Sequence, residues 1–560
     1  MLTHKAQNQA FDMIIVGAGV AGLYMLHRAR QAGLSVRLFD AAGGIGGTWY
    51  WNRYPGARVD IESFEYSYSF SSELEQEWRW TERYASQPEL LQYFDHVANR
   101  FGLYEDIQLD TRIDSVVFDE RRHEWAIDTQ AGETFSARFC VMATGCLSAP
   151  KVPDIPGYGG FGGETYFTSR WPHETVEFGT KRVAVIGTGS SAIQLVPEVA
   201  RLAEHLAVFQ RTPNYSIPLR NQPMEDDYER RMKANYAELR RMEWQSPGGF
   251  VCVGGEPRQP LRVSAMSVTA EERQREFHVR WNAGGLCLYT SYNDLMTNET
   301  ANAELSEFVR TKLRAKIDDP ALADKLVPRD HPILTKRLCA DSGYFEAFNR
   351  DNVSLVDLRE TPIESITKRG IVFGNVEHEF DVIVFATGFD AVTGALLNVD
   401  IRGRHGLSLR QEWKDGPQTY LGLMSAGFPN LFNIAGPGST ASLSSAIPCD
   451  EHQVDLVMKL VQRTLHIGAT TIEATDDAQR SWTDRILAIA DNSLLHRTDS
   501  WYVGANIPGK PRVLMLDLEG FDAYMAFCDD VITRDYEGFS FGGTYNAHAL
   551  AESAAEARIL

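Results

Sequence analysis

The chain has 560 residues, 44% hydrophobic and 23% charged, a balance that gives two or three folded domains and excludes a long disordered tract. A formal net charge of −20 disfavours a general affinity for nucleic acid or anionic membrane, since both need a basic face. No apolar run reaches 18 residues, and the polar opening MLTHKAQNQA leaves no room for a signal peptide before the first apolar run, so a cytoplasmic protein is expected.

The first apolar run, Met13 to Val16, suits a buried parallel strand and leads into Gly17-x-Gly19-x-x-Gly22. A helix-like stretch follows and stops at Gly33, and the next run, LSVRLFD, ends in Asp40. Glycines of this spacing let backbone approach a pyrophosphate at a helix N-terminus, and the acid accepts hydrogen bonds from ribose hydroxyls. Between Gly46 and Asp60 comes GGTWYWNRYPGARVD; Trp49 reads as lining a bound cofactor, while Tyr54 and Tyr66 read equally as cofactor-lining or core aromatics. The run RFCVMATG ends at Gly145, and FGGETYFTSRWPHE then looks like a linker that carries Phe161, Tyr166, Phe167 and Trp171.

A second fingerprint begins at KRVAVIGTGSSAIQLVPEVA, with Gly187-x-Gly189-x-x-Ala192 and the adjoining Ser190 and Ser191. Its following strand, LAVFQ, ends in Arg211, and a guanidinium there pairs with a 2′-phosphate that an acid would repel, so the second nucleotide is expected to be NADP. A solvated loop charge is the alternative reading of Arg211. Two different dinucleotides facing each other imply FAD and NADPH, because a flavin takes the hydride that a nicotinamide gives. From 221 to 330 no fingerprint occurs; Leu305, Phe308, Val309 and Leu313 share one helical face, and the region reads as a helical insert to the NADP unit.

The run DVIVFATG ends at Gly388 like its counterpart at Gly145, and both triplets read as crossings between domains. The expected fold class is α/β: two Rossmann-like dinucleotide-binding domains, a split FAD domain and an inserted NADP domain, with a helical insert. The boundaries are 1–150 for the first FAD part, 151–220 for the first NADP part, 221–330 for the insert, 331–380 for the second NADP part and 381–560 for the second FAD part with an ordered lid loop at 501–512. Cys140, Cys146, Cys252, Cys287, Cys339, Cys449 and Cys528 make no paired spacing, so buried thiols are expected and neither a zinc site nor a disulfide framework. Cys449 is the candidate for an exposed, reactive thiol.

GGTWYWNRYPGARVD resembles the flavin-contacting segment of type I Baeyer-Villiger monooxygenases, and FGGETYFTSRWPHE resembles that family's Phe-x-Gly-x-x-x-His-x-x-x-Trp-Pro fingerprint through Phe161, Gly163, Trp171 and Pro172. The fingerprint histidine is Phe167 in this chain, which puts the coupling of domain motion to cofactor geometry in question; His173 reads better as a surface or helix-start residue than as its substitute. The resemblance extends over nearly the whole chain and is nearest to the phenylacetone and steroid monooxygenase group, with cyclohexanone monooxygenase more broadly. It implies Gly47, Thr48, Trp49, Asp60 and Tyr66 at the flavin, Lys336 beside Arg211 and Thr212 at the 2′-phosphate, and Trp501 of a mobile lid over the nicotinamide ribose. It implies Arg337 as the catalytic cation and Asp60 as its orienting partner, with Leu443 and Ala446 of the loop IAGPGSTASLSS bordering the substrate.

The implied activity is NADPH- and O2-dependent conversion of ketones to esters or lactones through a C4a-peroxyflavin, with sulfoxidation as a further capability. A fixed guanidinium stabilises both the anionic peroxide and the developing oxyanion without giving up a proton. Two rivals remain open: an N- or S-oxygenating flavin monooxygenase, and an uncoupled NADPH oxidase or NADPH-binding flavoprotein, the latter resting on Phe167. The expected partners are a small ketone and O2, the expected state a monomer or weak homo-oligomer.

Overall fold

The computed structural model describes residues 9–251, 257–440 and 443–543. Residues 1–8 of the polar opening, Cys252, and residues 441 and 442 of the loop from Ile434 lie outside the described residues.

The chain is α/β and builds two Rossmann-like sheets. In the first, strand Gln9–Val16 lies between Val36–Phe39 and Thr134–Met142, parallel to both, and Leu431–Asn433 adds to Thr134–Met142. Ile113–Asp119 and Glu124–Thr129 extend it antiparallel, and Asp400–Arg402 closes that edge. The second sheet is wholly parallel, in the order Val353–Asp357, His205–Gln210, Arg182–Ile186, Val382–Phe385, Glu164–Phe167. Parallel strands are covered on both faces, which explains why their sequences are continuous apolar runs: Val382 to Phe385 are all buried.

The two fingerprints fold alike. Gly17 and Gly187 take φ of 113° and 120°, and a Cβ on either would stand 2.3 Å from a carbonyl oxygen, of Ala143 and Ala386 respectively. Those alanines open the two Ala-Thr-Gly triplets, so each triplet backs its own glycine turn. The triplets then lead the chain across between sheets, side by side: Lys151 N donates to Gly388 O at 3.0 Å and Thr387 Oγ1 to Lys151 O at 3.0 Å.

Three expectations need correction. Strand Val382–Phe385 belongs to the second sheet, so the chain stays with that sheet past residue 380 and leaves it only at the Gly388 triplet. The linker-like stretch contains the edge strand Glu164–Phe167. Its side chains alternate: Phe167 stacks on Phe385 with centroids 5.0 Å apart on one face, while Tyr166 packs 5.3 Å from Trp171 on the other. The insert is shared between two cores. Tyr228, Met232, Tyr236 and Leu239, on helices Asp226–Ala234 and Tyr236–Trp244, join the core of the first sheet, whereas Leu305, Phe308, Val309 and Leu313 on Glu299–Arg314 join that of the second.

Among the described residues no helix is long and apolar enough to cross a membrane. Cys140, Cys339, Cys449 and Cys528 are free thiols, but Cys287 is disulfide-bonded, against the expectation of thiols alone. Cys449 is fully buried, not exposed, and burial first, then neighbouring Asp450, pushes its thiol up to about 12, which leaves it unreactive.

Candidate active site

Helix Val20–Gln31 starts at Gly19, and no side chain caps it. Its first-turn N–H groups therefore remain available to an anion. Asp40, at the end of strand Val36–Phe39, accepts from Ala18 N at 2.6 Å and from Ala42 N at 2.7 Å, which fixes the carboxylate against the glycine turn. Burial raises its pKa, and those two N–H bonds only partly offset the shift.

A cavity of about 550 Å³ joins this turn to residues far along the chain. Gly17, Gly19, Asp40, Gly47, Thr48, Trp49, Asp60, Tyr66, Ser190, Arg337, Ala446 and Trp501 all line it. Trp49 is buried and donates from Nε1 to Tyr66 OH at 3.1 Å, so Tyr66 is a wall residue with a fixed hydroxyl. Tyr54 also faces the cavity, but its hydroxyl donates to Gln194 Oε1 at 2.8 Å on helix Ser190–Leu202. Gln194 Nε2 in turn donates to Arg58 O at 3.0 Å, and a Cβ on Gly56 would meet Gln194 O at 2.5 Å. The segment leading to Asp60 is thus pressed against the helix of the second fingerprint.

Arg337 Nη2 donates to Asp60 Oδ2 at 2.7 Å, each side chain about a quarter exposed (26% and 26%). Asn214 Nδ2 donates to Arg337 O at 3.4 Å, and strand Cys339–Asp341 pairs with Ser216–Pro218 just beyond, so the guanidinium stands on an ordered backbone. Burial works against its charge, but the proximity of Asp60 and Tyr502 outweighs burial and holds Arg337 above its ordinary pKa. It is a permanent cation in a sheltered cavity.

Several predicted residues stand off the cavity wall. Gly22 is a packing residue: a Cβ there would sit 1.8 Å from Gly17 O, so it sets the closeness of helix and turn. Gly187 does the same against Ala386, whereas Gly189 faces open space at the uncapped start of helix Ser190–Leu202, with Ser191 one residue on. Leu443, following a turn bond from its N to Thr440 O at 3.0 Å, packs against the core of the first sheet, and its neighbours Ser444 and Ala446 form the wall instead. Arg211 is exposed, and Thr212 O accepts from Thr188 Oγ1 at 2.7 Å. Phe167 is absent from the cavity wall, and exposed His173 packs 4.9 Å from the Tyr50 ring.

Lys151 escaped the sequence reading. Burial lowers its pKa and so does the charge of Arg211, and Lys336 is lowered by burial against the pull of Asp330, again with Arg211 contributing. Three cations thus share one neighbourhood, a fit for a dianionic group. The same lysines bind the segment around Trp501: Lys151 Nζ donates to Asn506 O at 2.6 Å and Lys336 Nζ to Asp499 O. Lys510 Nζ, from the same segment, donates to Asp390 Oδ1 at 2.6 Å and Ala391 O at 2.7 Å. Asp450, another cavity residue, was equally unmarked, for nothing in PCDEH sets it apart as a chemical motif.

Residues 14–243 match the pyridine nucleotide-disulphide oxidoreductase family. A phenazine N-monooxygenase of Lysobacter antibioticus is 42% identical over 94% of this chain and 96% of its own length. An acetone monooxygenase (methyl acetate-forming) of Gordonia sp. is 39% identical over 94% of this chain and 98% of its own. Among solved structures, oxidized steroid monooxygenase bound to NADP superposes with a TM-score of 0.90 at 47% identity, covering 95% of this chain and 100% of that one. OTEMO in complex with FAD and NADP gives a TM-score of 0.91 at 36% identity, covering 96% and 100%.

Proposed function

The chain belongs to the Baeyer-Villiger monooxygenases, and on that premise we propose which of its residues carry the reaction. It is an FAD-dependent enzyme that uses NADPH and O2 to convert ketones to esters or lactones: ketone, O2, NADPH and a proton give the ester, NADP⁺ and water.

The cavity fits FAD. The uncapped helix start at Gly19 faces it, and a Cβ on Gly47 would come within 2.8 Å of Gly19 Cα, so the two glycine backbones form a cradle that any side chain would fill. Gly17, Gly19 and Asp40 would hold the pyrophosphate and ribose, and Gly47, Thr48, Trp49 and Tyr66 the flavin. The start of helix Ser190–Leu202 at Gly189, with Arg211, Thr212, Lys336 and Lys151, would hold NADPH, and Trp501 would cover its ribose. Bound FAD, reduced by NADPH and reacted with O2, supplies the oxygen atom that enters the ketone.

The protein's share is electrostatic. Arg337 places a fixed positive charge where negative charge grows on the ketone oxygen, and a water-poor cavity makes that charge count for more than it would in solution. Asp60 orients the guanidinium and balances its charge when the site is empty. The observation that carries this assignment is the 2.7 Å Arg337–Asp60 pair on the wall that also contains the first glycine turn.

The test is purified enzyme with FAD and NADPH in air against aryl, cyclic and steroidal ketones, recording NADPH consumed, peroxide released and ester formed. Ester matching most of the NADPH supports the assignment, and peroxide matching NADPH with every ketone overturns it. Oxygenation of sulfur or nitrogen in the same cavity is a second activity, supported by the 42% identity to a phenazine N-monooxygenase. A monomer or weak homo-oligomer is supported by the scatter of exposed large apolar residues such as Val152, Leu202, Val263 and Val376. A cytoplasmic location accords with the dependence on NADPH.

A further inference from the structure

One buried acid on the cavity wall takes no part in the chemistry above. Asp450 lies one turn into helix Ala446–His466, is 7% exposed, and lines the same cavity as Arg337 and Ala446. Among the described residues its Oδ1 has no hydrogen-bond partner and is sealed from solvent, which leaves Oδ2 as the oxygen that can meet a ligand. The next residue shows what a structural acid looks like here: Glu451, 2% exposed, accepts from Ser69 N at 2.8 Å and Ser69 Oγ at 2.6 Å, one bond to each oxygen. Asp450 has no such anchor, and leaving a buried polar group unsatisfied costs about 1–3 kcal/mol. The same wall includes Cys146, Leu147, Ile434, Ala435 and Ala446, which are apolar or weakly polar, so an aliphatic residue would serve packing there as well.

The titratable groups facing Asp450 are Glu451 and Cys449 on its own helix and Tyr66 and Tyr68 from the segment after Asp60. Burial first, and then the charge of Glu451, push its carboxyl to about 8. At neutral pH it therefore carries a proton and can serve as an O–H donor on the cavity wall.

We propose that Asp450 is a substrate-recognition residue whose carboxyl O–H donates a hydrogen bond to a second heteroatom of the substrate, and that the substrate class is ketones or heteroarenes with an unprotonated ring nitrogen. The inference rests on the ketone-oxidising reading of this cavity. A purely hydrocarbon ketone leaves the acid unsatisfied, whereas an aromatic nitrogen accepts its proton and brings no charge into an apolar corner.

The experiment uses oxidised holoenzyme with FAD and NADP⁺, titrated with benzyl methyl ketone and with its pyridyl analogue in which one ring CH is nitrogen. Kd is read from the change in flavin absorbance for wild type, Asp450→Asn and Asp450→Leu. Wild type binds the pyridyl ketone about tenfold or more tightly relative to the phenyl ketone, a preference of the size a donor built for one acceptor provides. Asp450→Leu brings that ratio to near one, and Asp450→Asn keeps part of it because the amide N–H still donates. The wild-type ratio falls as pH rises through about 8, where the carboxyl loses its proton, and the Asp450→Asn ratio stays flat. Equal ratios in wild type and Asp450→Leu overturn the proposal. So does a flavin spectrum altered in ligand-free Asp450→Asn with the ratio unchanged, which assigns the carboxyl to the flavin. Product analysis on wild type separates the two readings: no ester from either ketone, with the binding ratio intact, defeats the reaction and leaves the recognition standing.

Discussion

Arg337 Nη2 and Asp60 Oδ2 meet at 2.7 Å across 277 residues of chain, and the contact ties the segment after the first fingerprint to the strand end that follows the insert. Removing the cation leaves the cavity able to hold both cofactors but without charge where the ketone oxygen turns negative. Arg337→Ala is expected to lower ester formation by about 10²–10³, the loss typical of one oxyanion-stabilising group. Arg337→Lys restores little, because an ammonium cannot keep the Asp60 geometry and face the substrate together. Stopped-flow reduction of the flavin by NADPH, followed separately, slows far less than ester formation. Equal slowing of both steps would count against the role.

Phe167 occupies the place where the resembling family carries histidine, yet its ring stacks 5.0 Å from Phe385, with Tyr158 at 6.3 Å, away from the cavity wall. Phe167→His puts a polar ring into that aromatic cluster and is expected to cost about 1–3 kcal/mol. The ratio of ester to NADPH changes less than about twofold, since neither ring reaches the site. Thermal melts together with product analysis check both halves, and a large gain in coupling would show that position 167 governs the hinge through its hydrogen-bonding capacity.

What the sequence revealed and what it hid follow the same division between local and distant determinants. Gly17, Gly187 and Asp40 were readable because a nucleotide turn has fixed spacing along the chain. Arg337 and Asp60 were readable only through the motifs around them, since no local rule pairs residues so far apart. The strand Glu164–Phe167 was not, because its four residues sit among glycines and gain their extended shape from pairing with Val382–Phe385. Where Leu443 points depends on the turn closed by its N–H to Thr440 O, which no local pattern in the sequence gives. Lys151 and Asp450 acquire meaning only when remote segments surround them.

Lys336 has a depressed pKa because it is buried, with Arg211 nearby adding to the effect against Asp330 and Asp499. A bound 2′-phosphate would raise that pKa again, so NADPH binding favours the protonated lysine. Affinity therefore falls as pH rises through the depressed value, and Lys336→Arg moves that decline to higher pH. Arg211→Ala and Lys336→Ala each reduce the preference for NADPH over NADH by about tenfold to a hundredfold, the worth of one charged hydrogen bond. Steady-state KM values for the two coenzymes across pH provide the check, and an unchanged preference would move the phosphate site elsewhere.

Glu62 is 2% exposed; its Oε2 accepts from Tyr228 OH at 2.5 Å, while Oε1 has no partner among the described residues. Burial raises its pKa to about 7, opposed by the Tyr228 bond and the charge of Arg83. The folded state then holds this proton more tightly than the unfolded chain, whose glutamates titrate near about 4.3. Its stabilising contribution is fully present below that value and is lost as pH rises through about 7. Glu243, also raised to about 7, acts in the same direction. Melting temperature is expected to fall between about pH 4 and pH 7.5, and Glu62→Gln, which no longer titrates, flattens part of that fall. Identical slopes for the two proteins would mean that Glu62 ionises freely.

Lys510 anchors the 501–512 segment, its side chain 10% exposed, with Nζ bound to Asp390 Oδ1 at 2.6 Å and to Ala391 O at 2.7 Å. Asp390 and Ala391 lie just past the second Ala-Thr-Gly triplet, and Asn506 Nδ2 also reaches this stretch, donating to Phe389 O at 2.7 Å. If residues 501–512 form the proposed lid, it is fastened to a crossing between sheets, and a shift of one sheet against the other would pull on it. Lys510→Met keeps the length of the side chain but gives up the ion pair and the carbonyl bond, so the segment carrying Trp501 opens more often without unfolding the domains. The expected result is a KM for NADPH raised about three- to tenfold and more peroxide released per NADPH, with the melting temperature lowered by no more than about 2–4 °C. Asp390→Asn, which leaves Lys510 in place without its counterion, moves both kinetic values the same way. Unchanged peroxide and unchanged protease cleavage within residues 501–512 would show that Lys151 and Lys336 hold the lid by themselves.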